Sequence, residues 1–353
     1  MASPSDLPIV LYHYHLSPFA KRVVWYLNLR KIPFSQCLQP RIMPRPDLNL
    51  LGVSYRRIPV LSIGRDVYLD TRLIFQKLEA LYPASAAHPG ISGAGHAAHA
   101  ALEQLISART IDGQLFKSFV QCLPPGTFSN PALLRDRAAL NGVDVDKPGT
   151  VAPLAAEVVR RVRPEALAVA HRWVRWLEDG LLADGRAWIL DSNAGGAGPS
   201  LADLEAVWVL HWVCGIPGSL PAEVLGAESA PKVSAWIERF TGAVKEAARE
   251  APATPSLKGQ DAAKLIAGSP FAEPEGEVRG DPVVDALGLQ KGGAVKVWPT
   301  DYGFSHKDAG KLVAVDSKEF VIEAEGDFGS VRIHAPRHGF TISKEDENLS
   351  SKI

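Results

Sequence analysis

The chain has 353 residues, 46% of them hydrophobic and 22% charged, with a formal net charge of -1; this is ordinary globular composition, long enough for two or three cores. A charge so near zero, with no long basic run, argues against a nucleic-acid binder, which needs a cationic face to displace counterions. No segment reaches the ~20 unbroken apolar residues that span a bilayer, so neither nucleic acid nor a membrane is an expected partner.

Met1-Ala2-Ser3-Pro4-Ser5-Asp6 carries neither a basic start nor an apolar stretch. No signal peptide is expected there, and the expected location is the cytoplasm. Cys37, Cys122 and Cys214 are far apart, odd in number and without a CxxC pair. Free thiols in a reducing compartment are expected, rather than a disulfide framework or a zinc site.

Ile9–Tyr14 is a short β-branched and aromatic run and reads as a strand. Ser17-Pro18 then signals a helix start, and Phe19, Val23, Val24 and Leu27 recur at helical spacing. Ile32–Leu38 reads as a second strand, and a proline-rich loop runs from Pro40 to Pro46. Val60–Ile63 and Val67–Leu69 flank Gly64-Arg65-Asp66 and should form a hairpin; Thr71–Tyr82 is helical and stops before Pro83. The order β-α-β, connection, β-β-α is that of a thioredoxin-like α/β domain, with the first two strands parallel and the hairpin closing the sheet. Ala84–Gly95 reads as a linker.

Residues 95–250 contain no convincing strand and read as an all-helical domain. Long helical patterns cover Ala97–Leu123 and Pro153–Leu182, separated by a Gly-, Pro-, Asn- and Asp-rich insertion, Pro124–Thr150, with a short helix at Pro131–Asn141. Helices are also expected from Ser200 and over Ser229–Glu250. From Ala251 a loose connector with a short helix at Asp261–Ile266 leads to five alternating runs, Ala294–Trp298, Lys311–Val315, Glu319–Glu325, Ser330–Ala335 and Gly339–Ser343. That spacing predicts a small β-barrel, expected to pack on the helical domain. The expected units are therefore 1–84, 95–250 and 251–353.

Leu16-Ser17-Pro18-Phe19-Ala20-Lys21-Arg22-Val23 resembles the helix-start motif of glutathione transferases, closest to the tau and omega types. Tyr55-Arg56-Arg57-Ile58-Pro59-Val60-Leu61 resembles the family segment that carries a cis-proline before the third strand. Asp70-Thr71 stands where the family has an acidic residue and Ser. Ser200-x-x-Asp203 before an apolar run is a capping box like the family's in its second domain, and Lys232–Phe240 resembles a late family helix. The resemblance covers roughly residues 7–250. The chain departs from the pattern at Gly52-Val53-Ser54, where the family has Asn-Pro, at Thr71 in place of Ser, in the insertion and in the tail, which implies a divergent branch.

The resemblance implies that Ser17, at a helix N-terminus, donates a hydrogen bond to a glutathione thiolate. A free thiol has a pKa near ~8.5, and lowering it by about two units takes roughly 2.7 kcal/mol, within reach of a charge-assisted bond plus a helix terminus. Ser17 also fits a plain N-cap. It has no sulfur, nor has Ala20, so thiol–disulfide exchange at this helix is disfavoured. Pro59 is expected to be cis, turning the Ile58 backbone toward glutathione. Asp70 and Thr71 would hold the γ-glutamyl end, and Arg45 or Arg57 the glycyl carboxylate. With Phe19 these residues make the implied glutathione set. Tyr14, Phe116, Phe119, His211 and Trp212 are candidates for a cosubstrate cleft, with Tyr12 or Tyr14 as an alternative thiol activator. Trp173, Trp176, Trp188, Trp208 and Trp236 read as core. His13 and His15 share a strand face, but two ligands are too few for a metal site, and no metal is expected.

The implied activity is a glutathione transferase-like reaction on a small apolar electrophile in a homodimer. Glutathione-assisted isomerisation or elimination, and a non-catalytic binding or assembly module, remain alternatives.

Overall fold

The structure is a computed structural model and describes residues 6–93, 95–190, 198–278 and 280–345. Four strands, β1 (Ile9–His13), β2 (Ser35–Leu38), β3 (Val60–Ile63) and β4 (Asp66–Leu69), form the N-terminal sheet in the order β2-β1-β3-β4. β1 pairs with β2 in parallel and with β3 antiparallel, and β3 pairs with β4 antiparallel. The hairpin turns on Gly64 at φ 54, where a Cβ would come within 2.3 Å of the Pro270 carbonyl oxygen. Only glycine meets both demands there.

The crossover helix α1 (Pro18–Leu29) begins on the Ser17 cap and buries Ala20, Val23, Tyr26 and Leu27. With α3 (Thr71–Leu81) it covers the sheet face formed by Ile9, Leu11, Leu61 and Ile63. The short α2 (Pro46–Asn49) lies on the opposite face, with Leu48 and Leu51 against Val10, Tyr12, Val60 and Val67.

The helical block comprises α4 (Ala97–Ile111), α5 (Leu115–Gln121), α6 (Pro131–Leu140), α7 (Ala156–Trp176, continued by a π-helical turn Leu177–Leu181), α8 (Leu201–Cys214) and α9 (Pro231–Glu250). The single helix expected over Ala97–Leu123 is broken: Gln114 takes a left-handed φ of 59 and starts a new helix. α8 is buried along most of its length and runs through the first core. Its capping box is formed, and Asp203 Oδ1 also accepts from Ile189 N at 2.8 Å and Trp236 Nε1 at 2.7 Å. That one carboxylate ties three segments together.

After α9 the chain wraps the N-terminal domain. Residue 36 of β2 exchanges backbone hydrogen bonds with the tail, Gln36 N to Pro255 O and Leu257 N to Gln36 O, both 2.8 Å. α10 (Gly259–Ala267) then passes under the α2 face, adding Ala262, Ala263 and Ile266 to that core. Gly259 is needed for the close approach, since a Cβ would sit 2.0 Å from Asp47 Oδ1. Beyond α11 (Pro282–Leu287), strands β5 (Ala294–Pro299), β6 (Asp308–Val315), β7 (Glu319–Gly326) and β8 (Gly329–Pro336) make an antiparallel meander, and β9 (Phe340–Lys344) returns beside β5 in a barrel-like order.

The five expected strands are present, but their docking differs from the expectation. The extension joins the N-terminal sheet and touches the helical domain only locally, as where Gly303 N donates to the Leu140 carbonyl at 2.8 Å and His338 Nε2 lies 2.9 Å from Asp112 Oδ2. β8 pairs in parallel with β4, Asp66 with Arg332, Val67 with Ile333 and Tyr68 with His334, giving one sheet of nine strands. The physical reason is the β4 edge: its free N–H and C=O groups and the apolar Val67 and Leu69 need a partner, and Val331 and Ile333 extend the same core. Among the described residues no helix is long and apolar enough to cross a membrane.

Candidate functional site

Ser17 lies at the N-terminus of α1, 3% exposed. Its Oγ accepts from Ala20 N at 3.2 Å, and its N–H donates to the Tyr14 carbonyl at 3.0 Å. Capping uses an acceptor lone pair and leaves the hydroxyl proton to donate. The cap and a thiolate contact are therefore compatible. Ile58–Pro59 is cis, and so is Met43–Pro44.

Asp70 caps α3 from a backbone at φ 67, its Oδ1 accepting from Arg72 N at 2.9 Å. Burial opposes its charge, yet the Arg72 guanidinium on both oxygens holds the carboxyl below its ordinary range. The neighbouring Thr71 hydroxyl accepts from Arg22 Nη1 at 2.7 Å. Arg22 is fully buried. It pairs with Glu205 of α8 and lies 4.9 Å from the Trp208 ring centroid and 5.3 Å from that of Phe75.

Below the Ser17 turn is an aromatic cluster. Phe19 lies 4.8 Å from Phe116 and 4.7 Å from Trp208, and Phe116 lies 5.5 Å from Trp212. Phe19, Phe116 and Trp212 are half-buried. Phe119, expected to line the cleft, is fully buried in the core, because α5 turns that face toward the helices. His211 meets Trp25 at 4.7 Å rather than the Phe19 cluster. Burial, with Lys21 and Lys245, pushes its pKa down to about 4. Tyr12 is fully buried, and burial with Cys37 and Asp47 pushes its phenol far up, which removes it as a thiol activator. His13 is buried against Gln36 while His15 is exposed. Among the described residues no group of three or more His, Cys, Asp or Glu is placed to hold a metal. Trp173, Trp188, Trp208 and Trp236 are core, whereas Trp176 is 44% exposed.

The two candidate arginines are engaged elsewhere. Arg57 donates to the Tyr302 carbonyl through Nε at 2.8 Å and pairs with Asp301, both in the extension. Arg45 is buried, donating to the carbonyls of Pro40 and Arg56. Around it the insertion docks. Asp136 Oδ1 of α6 accepts from Met43 N at 3.1 Å and Arg56 Nη2 at 3.0 Å, and Arg137 Nη2 reaches the Tyr14 hydroxyl at 3.3 Å.

Residues 11–86 match the family described as glutathione S-transferase, N-terminal domain. Those residues carry a glutathione-transferase N-terminal domain. Residues 121–249 match a family described as a domain of unknown function (DUF7962). A GST-like protein from Pseudomonas syringae shares the fold with a TM-score of 0.62 at 23% identity, over 96% of this chain and 99% of that one. That span includes most of the extension. Beta-etherase LigF from Sphingobium sp. strain SYK-6 matches at 15% identity over 69% of this chain and 100% of that one, with a TM-score of 0.49. Rice GST1 in complex with glutathione matches at 18% identity over 74% and 96%, with a TM-score of 0.48. No curated protein matches the sequence.

Within this glutathione-transferase fold, sequence reasoning missed Arg22, Arg56, Asp136, Arg137 and Asp308. Arg22 had a signal: it sits on the same helix face as Phe19, three residues away, where a charge needs a buried partner. Asp308 had none. It reaches back across the chain, its Oδ1 accepting from Ser54 N at 2.6 Å and Tyr55 N at 3.0 Å, and burial pushes its carboxyl up to about 7. It fixes the loop that leads into the cis Ile58–Pro59 bond.

Proposed function

We propose that the chain is a glutathione-dependent enzyme of transferase type. Ser17 would stabilise the glutathione thiolate, and Ile58, Pro59, Asp70 and Thr71 would bind the peptide. Phe19, Phe116 and Trp212 would receive a small electrophile beside the sulfur. The observation that carries the reading is the Ser17 hydroxyl. It is buried at a helix N-terminus with its proton unspent by capping, where the dipole and free N–H groups favour a thiolate. Proximity and thiolate stabilisation would supply most of the rate. A cytoplasmic homodimer belongs to the same reading, and glutathione-assisted isomerisation or elimination would use the same machinery.

A non-catalytic module of the same fold is the second reading. It draws on the degree to which Arg45, Arg57 and the Thr71 hydroxyl are already engaged by protein groups. Calorimetry with millimolar glutathione separates the two. Binding that Asp70→Ala weakens supports the enzyme, and no heat at that concentration leaves the second reading.

A further inference from the structure

The segment that leads into Ile58–Pro59 is gripped by the extension at four points. Asp327 N, in the turn between β7 and β8, donates to the Leu50 carbonyl at 2.9 Å. A Cβ on Gly52 would stand 2.4 Å from the Glu325 carbonyl oxygen. The N–H groups of Ser54 and Tyr55 both donate to Oδ1 of Asp308, the first residue of β6, at 2.6 and 3.0 Å. Arg57 is held by Asp301 and by the Tyr302 carbonyl. Gly52-Val53-Ser54 is also where the sequence departs from the glutathione-transferase pattern. The grip falls on the stretch that lacks the local motif.

Asp308 holds this loop at a cost in stability. It is fully buried, and its Oδ2 has no partner among the described residues. Burial pushes its carboxyl up to about 7, against the opposing pull of the two N–H groups. An amide side chain would accept the same two bonds with no charge to desolvate. Selection for stability alone would therefore favour the amide. Through Tyr55 the loop reaches the candidate peptide site. The Tyr55 ring stacks on Phe340, the first residue of β9, with centroids 5.9 Å apart. Its phenol is pushed up by burial and lies in the fields of Arg57, Asp70 and Asp301 as well as that of Asp308.

We propose that Asp308 is a positioning residue for the peptide ligand: seated under Ser54 and Tyr55, it fixes the backbone that runs on to Ile58–Pro59 in the conformation that receives glutathione, and so makes the extension part of the binding platform. Sealed in the core, it acts on the ligand only through those two N–H groups. The coupling runs both ways. A ligand that binds only the fixed loop also stabilises the seating of the extension on that loop. This role rests on the glutathione reading and adds to that machinery a residue 254 positions beyond Ser54.

Calorimetry of the full chain with S-methylglutathione, whose thioether leaves the Ser17 chemistry out, tests this role. Asp308→Ala should weaken binding about ten- to a hundredfold, the range of one charged hydrogen bond. Asp308→Asn keeps an acceptor and should bind within about threefold of the unmodified chain. Hydrogen exchange gives a readout that needs no variant: saturating S-methylglutathione should slow exchange over residues 300–308 as well as over 50–58. A merely structural contact would lower the unfolding midpoint of Asp308→Ala and leave its affinity unchanged, and that result overturns the proposal. An asparagine variant as weak as the alanine one, or protection confined to residues 50–58, overturns it too. Binding that ignores Asp308 removes this role and leaves the glutathione reading standing. No binding by the unmodified chain removes both.

Discussion

His334 on β8 places Nε2 2.9 Å from Oδ1 of Asp66 on β4, while its Nδ1 lies 3.0 Å from Oε2 of Glu319. Both ring nitrogens can donate only in the imidazolium form. Burial disfavours that form, but the hydrogen bonds to Asp66 and Glu319 prevail and raise the pKa to about 9. Lys77 secures the far side, with Nζ 2.5 Å from Glu319 and 2.6 Å from Glu273. A charged imidazole thus joins the extension to the N-terminal sheet.

This pair sets an alkaline limit. The folded pKa lies above the unfolded value of about 6.5, so the stabilisation is fully present below about pH 6.5 and is lost as pH rises through about 9. The span corresponds to at most about 3 kcal/mol. The unfolding midpoint of the unmodified chain should fall between pH 7 and 10, and that of His334→Gln should start lower and vary less. Parallel curves for the two proteins would remove His334 from the account.

The buried pair of Arg22 and Glu205 joins the N-terminal and helical domains through α1 and α8. Arg22→Met leaves a carboxylate without its partner in the core and should cost about 3–5 kcal/mol. Replacing both residues, as Arg22→Met with Glu205→Leu, should recover most of that loss. Denaturant midpoints for the two singles and the double decide it; a double no better than Arg22→Met alone would mean that Arg22 acts by packing on Trp208 and Phe75.

Ser17→Ala separates chemistry from capping. Loss of a thiolate contact should raise the pKa of bound glutathione by about one to two units, read as thiolate absorbance, and lower turnover about ten- to a hundredfold. Loss of the cap alone should cost about 1 kcal/mol of stability and leave both unchanged. In that case suspicion moves to Tyr14, since Tyr12 is sealed in the core.

The wrapped tail predicts how truncation behaves. Ending the chain at Glu250 removes α10 and β8, which uncovers the β4 edge and the Val10, Tyr12, Val67 face. The product should aggregate, because an open edge strand beside exposed apolar surface invites intermolecular pairing. A monodisperse 1–250 fragment with native near-ultraviolet dichroism would contradict this.

The legible parts of the fold were those specified within a few residues. Ser17-Pro18, the Gly64 turn and the Ser200–Asp203 box each carry their own geometry, and each marks its element. Phe116 and Phe119 stand three residues apart on one helix, and periodicity could not say which one meets the cleft. The choice is made by the break at Gln114, which resets the phase of α5. The docking of the extension was illegible for a different reason: alternating strands announce a sheet but do not name its neighbour, and β4 was free to accept one. The candidate site divides the same way. Ser17 and Asp70 are read from local caps, whereas Arg56 and Arg137 become a pair only through Asp136, some eighty residues further along.

His334 follows Asp66 by 268 residues, and this has a consequence for biosynthesis. On the ribosome, β1 to β4 can pair as soon as they emerge, but the partner strand of β4 leaves the exit tunnel only after the whole helical block. Throughout elongation the nascent N-terminal domain carries an open edge and an unroofed apolar face. At ~5–20 residues per second that exposure lasts for tens of seconds. The helical block, whose core helices all precede Ala251, can fold in the interval. Nascent chains stalled shortly before Gly329 should therefore be rich in chaperone-bound species, and those carrying an added C-terminal linker long enough to bring Lys344 out of the tunnel should not.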